Sequence, residues 1–378
     1  MTLVKDKQAD LAGPGISTYA EVAKILPDGY RSRLDRKETQ LALSSVKRFI
    51  EDGLCRELNL FHVEVPLIVT RESGVNDYLD RDGSRTPIEF PCGLGLKQRL
   101  HGQVVQAATK WKRMALKQFD CAVGEGICTD MRAVRKDYFL DHDHSAYVDQ
   151  WDWEKRITAN DRNLETLKKT VRGIWNVLKG AEAFVQAHFP KLADPKVQNL
   201  PDELTFLHAE ELLDMYPDLP RKQRETEILK VRQAVFIIGI GSVLKDGYPH
   251  EMRAADYDDW ITPTVSRNGE QYHGLNGDIL VWNPITKRRH ELTSMGIRVT
   301  GESLKSQLAI SGQSDFLKLP YHRAIVDGEI PLSIGGGIGQ SRTTMLLLRK
   351  AHLGEVSVTL WPDELKEICE AKNIFVLD

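Results

Sequence analysis

The sequence predicts an α+β fold that combines strand hairpins with long helices, and three features carry this prediction. Gly126 to Arg135 and Ala146 to Glu154 alternate like strands and flank a polar loop. Asp278 to Asn283 forms another strand, which Pro284 turns before the chain returns from Glu291 to Val299. Helical three- and four-residue spacing of apolar residues dominates much of the remainder. Hairpins beside long helices are typical of the α+β class.

Length and composition set the broad class of protein. The 378 residues with 41% hydrophobic content are enough for a substantial core, and a net charge of −3 argues against a surface that coats nucleic acid. The five cysteines are odd in number and match no zinc motif, which indicates a reducing compartment. The first residues lack a signal peptide, and the longest apolar stretch, Ala234 to Leu244, is too short for a membrane span. We therefore predict a cytoplasmic protein with neither membrane nor nucleic-acid partners.

The N-terminal third begins with a polar stretch that contains the breaker Gly13-Pro14-Gly15. We predict an N-terminal extension over residues 1–34 and a single domain over residues 35–378. Arg36 to Leu58 has the apolar spacing of a helix. Phe61 to Val69 alternates like a strand, and its internal proline restricts that strand to an edge or a special pairing.

The next segment combines a polar loop with a basic helix. Arg71 to Gly93 is rich in turn residues, and this loop could close over a site with Asp77 in it. His101 to Leu116 is predicted to be helical and carries the basic run Lys110-Trp111-Lys112-Arg113. That run is either a solvated face or an anion-binding cluster, and composition alone favours the solvated face, as it does for Asp77.

Alternation along the strand Ala146 to Glu154 sorts its side chains into two faces. Gln150, Asp152 and Glu154 share one face, and the tryptophans lie on the other. If the polar face is buried, each of its residues needs a polar partner, which a small zwitterion would supply. The alternative is a solvated sheet face.

The remaining elements follow from periodicity and capping signals. Asn160-Asp161 is predicted to cap a helix that reaches Phe189. Ala234 to Ile240 is wholly apolar and is predicted to be a central strand. We also predict a strand at Leu204–His208 and helices at Glu210–Tyr216, Arg221–Val231, Leu304–Ser311 and Pro320–Asp327.

The hairpin that begins at Asp278 carries a candidate metal site. Asp278 and Glu291 can face each other across it, and carboxylate oxygens beside polyphosphate are how proteins usually hold Mg²⁺. Glu291 and Arg298 are an odd number of residues apart, so a regular strand would direct their side chains to opposite faces. A bulge near Ser294-Met295-Gly296 is needed to bring both to one site. The alternative is a pair of unrelated surface charges.

A glycine cluster within Leu332 to Leu348 joins a strand to a helix. It lacks the lysine of a P-loop, and its glycine spacing does not match the dinucleotide fingerprint. Glycines at such a turn let the backbone approach a ligand, and Arg342 on the following helix would direct a planar, charged fork at that ligand. The alternative is an ordinary corner with a surface arginine.

These stretches resemble the three motifs of class II aminoacyl-tRNA synthetases. The long helix and its proline-bearing strand resemble motif 1, Arg135 with the polar loop and return strand resembles motif 2, and the glycine strand with Arg342 resembles motif 3. Longer runs are similar to the ammonia-dependent asparagine synthetases over residues 36 to 361. These runs are Lys110-Trp111-Lys112-Arg113, Gly124-Glu125-Gly126, Tyr147 to Glu154, Asp256-Tyr257-Asp258-Asp259-Trp260, Leu275 to Pro284, Ser294 to Val299 and Ile334 to Arg342.

The resemblance implies a class II synthetase-like antiparallel sheet flanked by helices, in a homodimer formed through the motif 1 element. It also implies ATP-dependent synthesis of L-asparagine from L-aspartate and ammonia through a β-aspartyl-adenylate, with release of AMP and pyrophosphate. Catalytic roles would fall to Asp77, Arg135, Gln150 and Arg342. Arg135 and Arg342 would bind the phosphates of ATP, with Mg²⁺ on Asp278 and Glu291. Aspartate would be bound by Lys112, Gln150, Asp152, Asp256, Ser294 and Arg298.

Two rival functions stay open at this stage. An aspartyl- or asparaginyl-tRNA synthetase would share the adenylation chemistry, but only the short extension remains for an anticodon-binding module. A catalytically inactive, synthetase-like binding protein would be free to lose its phosphate-site residues. This chain has all four of them: Arg135, Asp278, Glu291 and Arg342. Ammonia is favoured over glutamine as nitrogen donor because residue 2 is Thr2, so no N-terminal cysteine nucleophile is available.

Overall fold

A computed structural model of the chain describes residues 15–77, 86–93, 95, 99–195, 197, 199–266 and 268–378. The helices of this part are α1 (Tyr19–Ile25), α2 (Arg36–Leu58), α3 (Thr109–Gln118), α4 (Leu164–His188), α5 (Ala209–Met215), α6 (Arg221–Arg232), α7 (Gly301–Ile310), α8 (Pro320–Val326), α9 (Gln340–Leu347) and α10 (Asp363–Ala371). No helix within these ranges combines the length and apolar character that a bilayer crossing requires.

The strands are β1 (Leu60–His62), β2 (Ile68–Thr70), β3 (Glu89–Cys92), β4 (Leu100–Val104), β5 (Gly126–Val134), β6 (Tyr147–Arg156), β7 (Thr205–His208), β8 (Ala234–Ile238), β9 (Pro263–Val265), β10 (Gln271–His273), β11 (Asn276–Asn283), β12 (Arg288–Glu291), β13 (Thr293–Ile297) and β14 (Ser333–Gly339). The main sheet has the order β1-β5-β6-β14-β13-β11-β8-β7. Strand β12 lies outside this order and pairs with β11. Its interior pairs are antiparallel, and parallel pairs occur only at the two ends of that order. The predicted antiparallel sheet flanked by helices is confirmed.

Four predicted elements need correction. The strand predicted from Phe61 to Val69 is divided into β1 and β2, with Pro66 in the break, because proline has no N–H for a ladder. The helix predicted from His101 begins only at α3, since β4 precedes it. Helix α4 is capped by Asn163, and Asn160-Asp161 lies in a 3₁₀ turn before it. Strand β8 is wholly buried, but it is second from the end of the sheet rather than central.

The two faces of the sheet differ as the alternation predicted. Trp151 and Trp153 are fully buried in the main hydrophobic core, together with apolar residues of α2, α4 and α9. Asp152 and Glu154 alternate with them and are also buried, on the opposite face. The predicted polar face therefore exists: Asp152 and Glu154 are enclosed by protein, and Gln150 is half-buried.

The described part of the N-terminal stretch packs on the core. Val22, Leu26 and Leu34 are at most 2% exposed and belong to the main hydrophobic cluster. Tyr30 donates a hydrogen bond to the Glu355 carboxylate at 3.0 Å. Residues 15–34 of the predicted extension therefore contribute to the core, while a domain boundary near residue 35 stays a prediction.

Candidate active site

Glycines of β14 make room for the polar face. Gly335 and Gly337 of β14 pair directly with Glu154 and Asp152 of β6. A Cβ at Gly335 would overlap the Glu154 carboxylate, and one at Gly337 would lie 2.8 Å from Asp152 Oδ1 and would overlap Gln150. These glycines lie within β14 rather than at the predicted turn. Their function is to leave space for polar side chains of β6.

Glu154 and Arg298 form a buried ion pair at the base of this face. Arg298 Nε donates to Glu154 Oε1 at 3.0 Å, its NH2 group donates to Oε2 at 2.8 Å, and its NH1 group binds Asp258. Burial raises the pKa of Glu154, but the charge and hydrogen bonds of Arg298, together with Lys112 and Ser333, outweigh burial, so the pKa lies below its ordinary value. Arg298 is therefore held rigidly by two carboxylates, as a buried charge requires.

The basic run on α3 is buried, so the expectation of a solvated face is wrong. Lys110, Lys112 and Arg113 are at most 1% exposed. Lys112 Nζ donates to Asp152 Oδ1 at 2.7 Å and to the carbonyls of Trp153 and Gly336 at 3.1 and 3.0 Å. An ammonium has three protons, so these contacts use all of them within the protein.

Lys110 on the same helix forms another buried ion pair, with Asp256. Lys110 Nζ is 2.7 Å from Asp256 Oδ2, and His322 Nε2 is 2.9 Å from the same oxygen. Burial raises the pKa of Asp256, but Lys110 and His322 lower it far more, so the carboxylate is held ionised. Asp256 is only 3% exposed.

Asp77 is buried next to this pair, so the solvated-loop alternative is wrong. It is 1% exposed, and its Oδ2 accepts a hydrogen bond from the Thr109 backbone N–H at 3.2 Å. Its Oδ1 accepts none from the residues that the structure describes. The pKa of Asp77 is raised to about 6, mainly by burial. The charge of Lys110 opposes this rise, and the charge of Asp256 adds to it.

Asp278 and Glu291 come together as predicted, and Glu251 joins them. One carboxylate oxygen from each of the three residues lies within 4.8 Å of the others. Arg253 reaches the same place, with NH2 donating to Asp278 Oδ1 at 2.7 Å and NH1 to Ser294 Oγ at 2.6 Å. Burial raises the pKa of Asp278 to about 7, with Arg253 opposing and Glu291 adding to this effect. Three carboxylates with hard oxygen donors suit Mg²⁺.

The strand register shows where the returning strand of the hairpin switches the faces to which its side chains point. Leu280 pairs with Glu291, whereas Gly277 pairs with Met295, so the returning strand contains one extra residue between these pairs. Strand β13 pairs regularly with β14 from Thr293 onward, which places the irregularity at the β12–β13 junction near Leu292. The predicted bulge exists, but it lies before the predicted Ser294-Met295-Gly296 segment.

Arg342 lies beside the carboxylate cluster. Its NH1 group is 3.9 Å from Glu291 Oε1, and its Nε donates to the Asp143 carbonyl at 3.2 Å. Arg135 is half-buried at the end of β5, where its Nε donates to the Gln106 carbonyl at 3.0 Å. The amide of Gln106 in turn donates to the Asp77 carbonyl at 3.1 Å, which connects Arg135 to the Asp77 segment.

Sequence reasoning missed Glu251, Arg253 and the partnership of Asp258 with Arg298. Glu251 and Arg253 precede β9 in a segment without regular secondary structure, so no periodicity marks them. The one available signal is the density of charge from Glu251 to Asp259.

Comparison with known proteins gives one consistent result. The profile of a family described as Aspartate-ammonia ligase matches residues 37–373. A protein named aspartate–ammonia ligase from Clostridium perfringens is 45% identical over 353 residues, which span 93% of this chain and 99% of the relative. Its namesake from Bacillus cytotoxicus is 45% identical over 345 residues, or 91% and 99% of the two chains.

Solved structures extend the likeness to the fold. The asparaginyl-tRNA synthetase of Pyrococcus horikoshii, complexed with asparaginyl-adenylate, superposes with a TM-score of 0.61 over 86% of this chain and 70% of the other, at 14% identity. The aspartyl-tRNA synthetase of Entamoeba histolytica gives a TM-score of 0.56 over 94% of this chain and 66% of the other, at 14% identity. The predicted class II synthetase-like fold is confirmed.

Proposed function

Because the chain belongs to the aspartate–ammonia ligase family, it uses ATP to make L-asparagine from L-aspartate and ammonia, and we propose that the reaction passes through a β-aspartyl-adenylate. A carboxylate resists attack because its leaving group would be oxide. Attack of the β-carboxylate on the α-phosphorus of ATP replaces oxide with AMP and releases pyrophosphate. Ammonia then attacks the activated carbonyl, and AMP leaves.

One observation carries this proposal: Arg342 lies beside three clustered carboxylates. Glu251, Asp278 and Glu291 offer only oxygen ligands, which fits Mg²⁺, and we propose that they hold it. A bound Mg²⁺ would supply positive charge to the polyphosphate. Arg342 would bind the γ-phosphate region, and Arg135 would contact the α-phosphate where charge develops.

The roles toward aspartate follow from which polar atoms the protein leaves available. Asp152 Oδ2 accepts no hydrogen bond from the described residues and lies on the polar face with Gln150, so we propose these two for the substrate ammonium. Lys112 uses its protons on internal acceptors, so it positions Asp152 rather than binding a carboxylate directly. Arg298 uses three of its five N–H donors on Glu154 and Asp258, so we propose that the remaining two bind a substrate carboxylate.

Asp256 and Ser294 are also internally bonded, to Lys110 and Arg253 respectively. Both lie beside groups already assigned to the site, so we propose that they set its shape and contact aspartate from its rim. Aspartate would form a hydrogen bond with the Asp256 carboxylate or the Ser294 hydroxyl only through lone pairs that these internal bonds do not use.

A product assay tests this function against its rivals. Enzyme, Mg²⁺, ATP and aspartate are incubated with ammonia, glutamine or transfer RNA as the only acceptor, and asparagine is measured by chromatography. We expect asparagine with ammonia and at most a trace with glutamine. Aminoacylated tRNA without free asparagine would favour the synthetase function, and no ATP turnover with any acceptor would favour an inactive binding protein.

Asp77→Asn separates the two half-reactions. We propose that Asp77 takes a proton from ammonium, since only neutral ammonia carries the attacking lone pair and the pKa of Asp77 is raised to about 6 by burial. The variant should keep aspartate-dependent exchange of pyrophosphate into ATP, while asparagine formation falls at least about a hundredfold, within the range for a positioned base.

The pH dependence provides a matched check on Asp77. Below pH 6 the wild-type carboxylate becomes protonated, so asparagine formation should fall as pH drops through that value while pyrophosphate exchange does not follow it. Loss of both activities with a raised KM for aspartate would assign Asp77 to aspartate binding. Two unchanged activities would remove it from the mechanism.

We further propose a homodimer in the cytoplasm, formed through the C-terminal end of α2 and the segment around Pro66. Phe61, Leu67 and Ile68 expose 37%, 50% and 50% of their surface in the single chain, an unusual density of large apolar side chains on one segment. Light scattering under assay conditions should give twice the mass of one chain. A fully active monomer would contradict this interface.

A further inference from the structure

The polar loop between β5 and β6 contains a second group of potential metal ligands. Its sequence Asp141-His142-Asp143-His144 alternates carboxylate and imidazole. One ligand atom from each of Asp141, Asp143 and His144 lies within 4.8 Å of the other two. His144 Nδ1 is 3.0 Å from Asp141 Oδ2 and 2.9 Å from Asp143 Oδ1.

A buried imidazole nitrogen without a hydrogen-bond partner points to a missing ligand here. His142 is 3% exposed, and among the described residues none forms a hydrogen bond with its Nδ1. That atom faces the cluster, at 3.6 Å from Asp141 Oδ1 and 3.8 Å from Asp143 Oδ1. A buried polar atom normally has a partner, and these distances are too long for a direct bond.

The spacing fits a shared ion. Ligand atoms bound to one zinc-sized ion at about 2.0–2.2 Å lie roughly 3 to 3.6 Å from one another. The four distances from the two imidazoles to the two carboxylates run from 2.9 to 3.8 Å, which matches this interval with small adjustments. Imidazole with carboxylate favours zinc-like transition metals, whereas Mg²⁺ prefers oxygen alone.

We propose that Asp141, Asp143 and His144 bind one divalent transition-metal ion of the zinc type, separate from the all-carboxylate site, and that His142 Nδ1 completes the ligand set by a small movement toward the ion. The backbone supports such a site, since the Leu353 N–H donates to the His142 carbonyl at 2.8 Å and fixes the loop at this point. The ion would bind neutral imidazoles and ionised carboxylates. The rival arrangement is metal-free, with a doubly protonated His144 neutralising the carboxylates.

Cobalt titration distinguishes these arrangements, because Co²⁺ replaces Zn²⁺ and absorbs visible light in a way that depends on its ligands. The full-length protein is stripped with chelator, given excess Mg²⁺ to saturate the carboxylate site, and titrated with Co²⁺ at pH 7.5. We expect absorption bands that saturate at one Co²⁺ per chain and disappear when Zn²⁺ is added. No Co²⁺ binding in excess Mg²⁺ would overturn the proposal.

Variants locate the ion. Asp143→Asn should abolish the bands, and His142→Gln should weaken Co²⁺ binding at least roughly tenfold, since even residues outside the ligand set typically contribute that much. His142→Gln has no Nδ1 hydrogen bond to lose, so it tests the site even if circular dichroism shows that Asp143→Asn misfolds. Glu251→Gln is the matched control and should bind Co²⁺ as the wild type does. Unchanged binding in either loop variant, or its loss in Glu251→Gln, would contradict the assignment.

Discussion

Gly335→Ala is expected to destabilise the protein by about 3 kcal/mol or more, the upper part of the range for overpacking a tight core. The new Cβ would overlap the Glu154 carboxylate. Glu154 cannot simply move away, because Arg298 and Ser333 hold both of its oxygens and the residue is fully buried. Urea unfolding followed by tryptophan fluorescence measures the loss.

Gly339→Ala is the matched control for this substitution. Gly339 ends the same strand, and a Cβ there would meet only Arg342 and a Leu292 carbonyl at ordinary contact distances of 3.6 and 3.7 Å. We expect a loss of about 1 kcal/mol or less, since alanine is merely a weaker N-cap than glycine. Equal unfolding midpoints for the two variants would show that the space at Gly335 is not needed for Glu154.

Arg342→Lys is expected to lower kcat/KM about a hundredfold, or about 3 kcal/mol, while the fold is kept. Lysine keeps the positive charge, but it loses the planar fork that binds two phosphate oxygens at once. The side chain is 25% exposed beside the Glu291 carboxylate, so a shorter cation there should not disturb the core. Steady-state kinetics with varied ATP measure the effect, and circular dichroism checks the fold.

Arg132→Lys provides the control. Arg132 is 61% exposed on β5, and within the described residues its one ion pair is with Asp130, which also lies on the surface. Its kinetics should match those of the wild type. Wild-type kcat/KM in Arg342→Lys would remove Arg342 from the phosphate site.

The sequence identified what local periodicity encodes. Alternation alone separated Trp151 and Trp153 from Gln150, Asp152 and Glu154, because neighbouring side chains on a strand must point to opposite faces. The hairpin pattern also predicted that Asp278 and Glu291 come together, since a hairpin brings its two strands together whatever the rest of the fold does.

Burial was harder to predict because it depends on distant partners. Composition favours a solvated face for Lys110 and Lys112, yet Asp256 and Asp152, far away in sequence, neutralise them inside the protein. Glu251 was missed for the same reason, since its place in the carboxylate cluster depends on an irregular segment packed against the β11–β12 hairpin.

A phosphorus NMR time course shows whether aspartate attacks the α-phosphorus of ATP, as we propose. Enzyme, Mg²⁺, ATP, aspartate and ammonium are mixed, and the phosphorus signals are followed as asparagine accumulates. The proposed mechanism predicts that AMP and pyrophosphate appear in equal amounts, one of each per asparagine. Formation of ADP and orthophosphate in step with asparagine would contradict it, because those products require attack on the γ-phosphorus.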